Sequence, residues 1–500
     1  MAIIFGLEVE LALRGILPPG MCGWEAVARR LLAAVAASQL HAPGACPRHG
    51  AFVFLANGSA IGLDSAQAVP EYSSPECLDP FELAACLRAG MRILARAAGE
   101  VSLDLHSRLM PIAASICYAL EGASLGTHEN YGFRAEPDGM LRLIHASVLP
   151  WIVTRQLFTE PGVLSGEPGS NGFALSPRAP LMMQVTGSST TGNRAIFTER
   201  RLPYARGSWR RLHVIAAGAT LSPWAVALRH GVTGLLIEMT LRGWQPQPSL
   251  RPRLPIPALR AVSLDPEQPI ETDGGKVTPL DLLEQLADEV RRAHAASPLS
   301  PWADRVLAEW ERALALLRSR SPDAKLWIEA HLRHHILAEH LRRAGMSSAA
   351  ARYCMQLAGR LPAPAQGAPT WSLLRRLGST VEPGLAALLH HQGLASEERR
   401  RRRAIIERLQ MLDLELSRIE DGIADRQSRM REELGVEVID SADVERLERE
   451  PPARTRAHRR GALIRLHAGD PSLRACWDRV IAGGRTYELG SPLVFRLPRR

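Results

Sequence analysis

Lysine is nearly missing from this 500-residue chain: of 61 basic residues only Lys276 and Lys325 are lysines. The formal net charge of +9 is therefore an arginine charge, much of it in two runs, 397–403 and 454–460. Such a bias reflects codon usage more than a nucleic-acid surface, and aromatic residues, at 5%, supply no recognition signature for one. Nucleic acid is not an expected partner; an acidic protein steered by the basic surface is compatible. Long hydrophobic runs are also absent. None approaches the roughly 20 residues of a membrane span, so no membrane association is expected. The first ten residues are apolar but broken by Glu8 and Glu10, with no basic region and no cleavage site, which speaks against a secretory leader. The seven cysteines (Cys22, Cys46, Cys77, Cys86, Cys117, Cys354 and Cys476) form no C-x-x-C pair. An odd, scattered set suits reduced thiols and a cytoplasmic location better than disulfides or a zinc site. Neither glycine-rich phosphate motif occurs, so any nucleotide would be held by a sheet and metal ions.

What is present organises the chain. Residues 3–13 alternate, with Leu7, Val9, Leu11 and Leu13 on one face and Glu8 and Glu10 on the other. An alanine-rich helix is expected over 24–37, and a buried strand over 51–56 that ends at the turn pair Asn57-Gly58. Asp79-Pro80-Phe81-Glu82 supplies an N-cap, a proline at the first helical position and a capping-box glutamate, so a helix should run to about 98. Ser222-Pro223, Thr278-Pro279 and Ser300-Pro301 open further helices, and 279–430 reads as nearly all helical, interrupted at 361–370. A charged helix is expected over about 396–433, and strand character returns after it.

Side by side on a strand, Glu8 and Glu10 project from one face and repel unless cations lie between them. A strand facing water is the alternative that this segment alone leaves open. Hard oxygen ligands of this kind suit Mg²⁺ with nucleotide phosphates. More carboxylates follow at Asp64, Glu71 and Glu76; His128 stands in what reads as a polar turn, and Arg211 and His213 share one face of a strand. His331, His335 and Glu339 line up on one helical face, but the surrounding arginines point to a solvated helix and not to a metal site.

The ordered series Gly6-Leu-Glu-Val-Glu10, Asn57-Gly58 with Leu63-Asp64, Pro70-Glu-Tyr72 with Glu76-Cys77, Gly126-x-His-Glu-Asn-Tyr131, Val153-Thr-Arg-Gln156 and Arg210-Arg-Leu-His-Val-Ile215 resembles the ligases and depupylases of the prokaryotic ubiquitin-like protein Pup. The resemblance implies an α+β fold: a curved, mostly antiparallel sheet like that of glutamine synthetase, with helices and a small C-terminal domain. The expected division is 1–433, strand-rich to 245 and helical beyond, followed by 434–500. It also implies ATP, or ADP with phosphate, and Mg²⁺ as cofactors, and a Pup-like modifier and its conjugates as partners. Carried over, Glu8 and Glu71 would bind one metal, and Glu10, His128 and His213 another. Asp64 would be the catalytic carboxylate, with Ser74, Arg200 and Trp477 contacting nucleotide.

Several positions depart from the family. Ala60 and Gly62 stand where its members usually have a nucleotide-binding Arg and a metal-touching Tyr, and Val69 replaces a His. Glu-Val-Glu at 8–10, the 72–80 segment and Gly172-Phe-Ala-Leu-Ser176 look depupylase-like, whereas Val153-Thr-Arg-Gln-Leu157 looks ligase-like. The expected reaction is hydrolysis of an amide or isopeptide bond at a glutamate or glutamine side chain. A ligase and a catalytically diverged scaffold are the alternatives.

Overall fold

Alternation in Ile4–Glu10 sends Phe5, Leu7 and Val9 into the core and leaves Gly6, Glu8 and Glu10 half-buried on the opposite face. The computed structural model describes residues 2–15, 23–45, 52–64, 69–113, 125–135, 139–167, 169–190, 193–198, 208–359 and 395–493. Ile4–Glu10 is the middle strand of a nine-stranded sheet. On one side of it lie, in order, Gly126–Arg134, Trp209–Gly218, Arg194–Thr198 and Met182–Gly187; on the other lie Val69–Ser73, Ala60–Asp64, Val53–Leu55 and His41–Pro43. All neighbours are antiparallel except Met182–Gly187 with Arg194–Thr198. The fold is α+β, and one large apolar core joins this sheet to the helices Trp24–Ser38, Pro80–Asp104 and Pro223–Leu241.

Several helix starts follow the sequence. Asp79 accepts from the amides of Phe81 and Glu82, Ser222 from Ala225 and Thr278 from Asp281. The helix expected from Ser300-Pro301 begins instead at Ala303 without a side-chain cap, because the Ser300 hydroxyl donates to Glu238 Oε2 at 2.7 Å. The charged stretch expected as one helix is two, Ser396–Leu416 and Ile423–Glu433. They are separated by a turn where Asp421 has φ 54° and Gly422 packs directly against the Arg418 carbonyl. The expected interruption at 361–370 lies outside the described residues.

The segment read as a polar turn around His128 is a nine-residue strand, Gly126–Arg134, next to the middle of the sheet. Its inward face is Thr127, Glu129, Tyr131 and Phe133, all fully buried. Glu129 conceals the strand pattern, and a residue 26 positions away pays for its burial: the Arg155 guanidinium grips both its oxygens, Nη1 at 2.8 Å, and the Tyr131 hydroxyl donates at 2.5 Å.

The C-terminal region begins with two helices, Ser441–Arg449 and Arg456–Leu466, before the three short strands Arg474–Ala475, Arg479–Ala482 and Arg485–Glu488. Val444 and Leu447 belong to the main core. Leu463, Ile464, Trp477 and Val480 pack in a separate cluster with Ala42, Phe54 and Ala60 at the sheet's edge. Cys77, Cys86, Cys354 and Cys476 are buried thiols that form no disulfide. No helix among the described residues is long and apolar enough to cross a membrane.

Candidate active site

Strand register assembles the site. Glu10 lies opposite Glu71, Gly62 opposite Glu71 from the other side, and Asp64 two residues beyond Gly62 on the same face. On the far side of the central strand Glu8 faces His128, and His213 stands opposite Asn130 one strand further out. Residues separated by more than 200 positions thus share one face of five adjoining strands.

Two subsets emerge. In the first, Glu8 Oε2 lies 3.2 Å from His128 Nδ1 and 3.8 Å from His213 Nε2, while Glu8 Oε1 accepts from Asn130 Nδ2 and Arg211 Nη2, each at 3.2 Å. The Thr198 hydroxyl bonds His213 Nδ1, which turns Nε2 of that ring towards Glu8. Burial opposes ionisation of Glu8, but the bond from His128 and the charges of Arg211 and His213 outweigh it and hold the carboxyl well below the usual range. The second subset is acidic. Burial, reinforced by the charges of Glu8, Glu10 and Asp64, pushes Glu71 well above its ordinary value. That is the electrostatic signature of carboxylates gathered with too little positive charge between them.

One ligand atom each from Glu8, His128 and His213 lies within 4.8 Å of the others, a set able to hold a divalent cation. The grouping differs from the resemblance, which placed Glu8 with Glu71 and both histidines with Glu10. Register explains the difference, since Glu8 and not Glu10 is opposite His128. Glu10 instead accepts the Gly126 amide at 2.9 Å and acts electrostatically on Arg178 and Arg194. The Arg178 guanidinium lies directly over Gly126, where a Cβ would be 2.0 Å from Nη1. A glycine is required there for the arginine to approach, a signal that the motif carries but that only the fold explains. The donor set fits a cation. Carboxylate oxygens at Glu8, Glu10 and Glu71 are of a kind that suits Mg²⁺, and the two imidazoles suit Mn²⁺ or Zn²⁺ as well.

Above the first subset a cleft is lined by Glu8, Ser74, Asn130, Arg211, Arg456 and Trp477. Ser74 faces this cleft, with its hydroxyl already accepting the Leu7 amide and donating to the Pro75 carbonyl. Trp477 is buried edge-on to Phe54, with the Arg460 guanidinium 4.8 Å from its ring centre. Arg460 Nη2 also donates to Glu76 Oε2 at 2.8 Å and to the Gly58 carbonyl at 2.6 Å, and Arg456 Nε donates to Glu76 Oε1 at 2.5 Å. This three-residue clamp fixes the C-terminal region to the sheet. Arg200 lies outside the described residues. Gly62 is roofed by Phe52, whose ring atoms lie 2.5 Å from where a Cβ would be. A tyrosine at 62 would have to displace that ring.

A family model described as Pup-ligase protein matches residues 26–357 and 390–481. The chain is 32% identical over 326 residues to a Pup–protein ligase of Sanguibacter keddieii, covering 63% of this chain and 69% of the ligase. It is 31% identical over 271 residues to a Pup deamidase/depupylase of Mycolicibacterium smegmatis, so the match spans about half of each, 53%. Among solved structures, the complex between Pup and its ligase PafA superposes with a TM-score of 0.74 at 20% identity, covering 99% of this chain and 89% of that one, a likeness of fold. With the family model covering most of its length, the chain belongs to the Pup-ligase protein family.

Proposed function

We propose that this protein uses a nucleotide and a divalent cation to carry out amide chemistry at a glutamate or glutamine side chain of a Pup-like modifier, in the hydrolytic direction. The observation that carries the reading is the convergence of Glu8, Glu10, Glu71 and Asp64 with His128 and His213 on one sheet face, beside a cleft that contains Trp477. When bound, a divalent cation neutralises phosphate charge and aligns the phosphoryl group. Glu8, Glu71, His128 and His213 would hold it. Asp64, half-buried at the end of its strand, would act as nucleophile towards an amide carbon or as base towards water. Arg178, Arg194 and Arg211 are among the nearby positive charges that would orient anionic groups, and Trp477 would offer an apolar wall for a base.

Support for hydrolysis comes from the segments at 72–80 and 172–176, which look depupylase-like. The ligase reading has its own support in the fuller match to the Sanguibacter ligase than to the depupylase. A paired assay separates them: cleavage of a glutamyl-isopeptide conjugate supports the hydrolase, and ATP-dependent joining of modifier to lysine supports the ligase. Neither reaction, with nucleotide still bound, would sink both in favour of a scaffold.

A further inference from the structure

Gly126 and Gly218 lie directly opposite each other, where the strand Gly126–Arg134 begins and its neighbour Trp209–Gly218 ends. Each amide donates to a carboxylate, Gly126 to Glu10 Oε2 at 2.9 Å and Gly218 to Glu160 Oε2 at 2.8 Å. Neither position admits a side chain. A Cβ at 126 would lie 2.0 Å from Arg178 Nη1, and one at 218 would lie 2.8 Å from Glu160 Oε2. The buried Arg178 guanidinium is thus seated at this glycine pair, where the charges of Glu10 and Glu160 both act on it. Glu160 lies 3.4 Å from the fully buried Arg229, and Glu10 acts in turn on Arg194, which is half-buried. Arg194, Glu10, Arg178, Glu160 and Arg229 therefore form a series of alternating sign that ends in the core.

The outer end of the series belongs to the site. Arg194 shares a face of its strand with Ile196 and Thr198, and Thr198 is the residue bonded to His213. Glu10 itself stands outside the cation subset of Glu8, His128 and His213 found among the described residues. A divalent cation seated on Glu10 would also lie in the field of two guanidinium groups, and like charges oppose it. We infer that Glu10 is a positioning residue, which holds Arg194 against Arg178 to receive a phosphate group, and that it does not ligate the cation. This rests on the proposed use of a nucleotide and a divalent cation, and divides the labour between two glutamates that look equivalent on their strand. Strand pairing separates them: Glu8 is opposite His128, whereas Glu10 is claimed by the Gly126 amide.

Calorimetry on the full chain reads the two roles apart. With MnCl₂ alone, Glu8→Gln should weaken binding at least about a hundredfold and Glu10→Gln by less than about tenfold, the part owed to charge at a distance. Equal losses in the two variants overturn the inference. With Mn²⁺ saturating and a nonhydrolysable ATP analogue as probe, Glu10→Gln and Arg194→Gln should each weaken the analogue by about tenfold or more. Removing a carboxylate that only repelled phosphate would tighten the analogue, so unchanged or tighter binding in Glu10→Gln overturns the positioning role. The double variant should bind the analogue no worse than Arg194→Gln alone, because both act through one guanidinium; additive losses overturn that coupling. Gly126→Ala should displace Arg178 and weaken the analogue as Glu10→Gln does, while retained Mn²⁺ binding reports a folded sheet. Analogue binding at the wild-type level in that variant overturns the part given to Arg178. Wild-type protein that binds neither Mn²⁺ nor the analogue sinks the proposed function and this inference together; wild-type protein that binds both but fails an arm above sinks the inference alone.

Discussion

In the proposed reaction Asp64 would be the reacting carboxylate, and its neighbours on the strand contribute no charge. Gly62 and Ala60 precede it on the same face, and the Phe52 ring covers Gly62. Asp64→Asn keeps shape and polarity but removes the anion, and should lower turnover by several powers of ten while metal-nucleotide affinity changes little. Single-turnover rates beside calorimetry check this; a fully active variant would move the reacting centre elsewhere. A second residue-scale expectation concerns Glu129. Glu129→Gln leaves the buried Arg155 without a counter-ion, and should cost roughly 3–5 kcal/mol in urea unfolding, far more than an exposed glutamate would. That Glu8, Glu10, Asp64, Glu71, His128 and His213 belong together was legible from the ordered motifs, and the strand pairing gathers them on one sheet face. Their grouping was not, because which carboxylate faces which histidine depends on strand register, and register is set by hydrophobic faces meeting across the sheet.

Elements were legible where one rule dominated. The alternation of Ile4–Glu10 and the Asp79-Pro80 start of the long helix are local signals with local causes. The strand Gly126–Arg134 was hidden because its buried face includes a carboxylate that is acceptable only with Arg155 in place, and Ser300 failed as a cap because Glu238, 62 residues away, claims its hydroxyl. The same long-range logic governs the helix Arg456–Leu466, docked through Glu76. Burial disfavours the charged form of Glu76, but Arg460 and Arg456 overcome this and lower its carboxyl to about 2. With the folded value below the unfolded one, near 4.5, the stabilisation is complete above the unfolded value and is lost as pH falls from there towards 2. Its size is roughly 3 kcal/mol, taken from the shift at about 1.4 kcal/mol per unit. Glu76→Gln should therefore destabilise most at neutral pH, with the difference from wild type shrinking below about pH 4.5. Denaturant titrations of both proteins between pH 7 and 3.5 read this, and a constant difference would refute the ion-pair account.

At the scale of the whole molecule, the carboxylates on the sheet face should make nucleotide binding conditional on metal. ATP or ADP should bind with Mg²⁺ or Mn²⁺ and lose nearly all affinity in EDTA, because Glu8, Glu10, Glu71 and Asp64 otherwise repel phosphate. At ligand concentrations about 100-fold above Kd the complex should gain about 2.7 kcal/mol of stability, visible as a rise in Tm only when metal is present. Equal binding in both conditions would remove the cation from the site. The clamp on Glu76 also has a temporal meaning. Its carboxylate lies 380 residues before Arg456 and 384 before Arg460, and Trp477 follows later still. On the ribosome, the strands that carry Glu76 emerge long before its counter-charges exist, and the cleft at Glu8 stays one-walled until Trp477 has emerged. A translation product that stops short of Arg456 would thus lack the clamp on Glu76 and one wall of the cleft, whatever the state of the rest of its core.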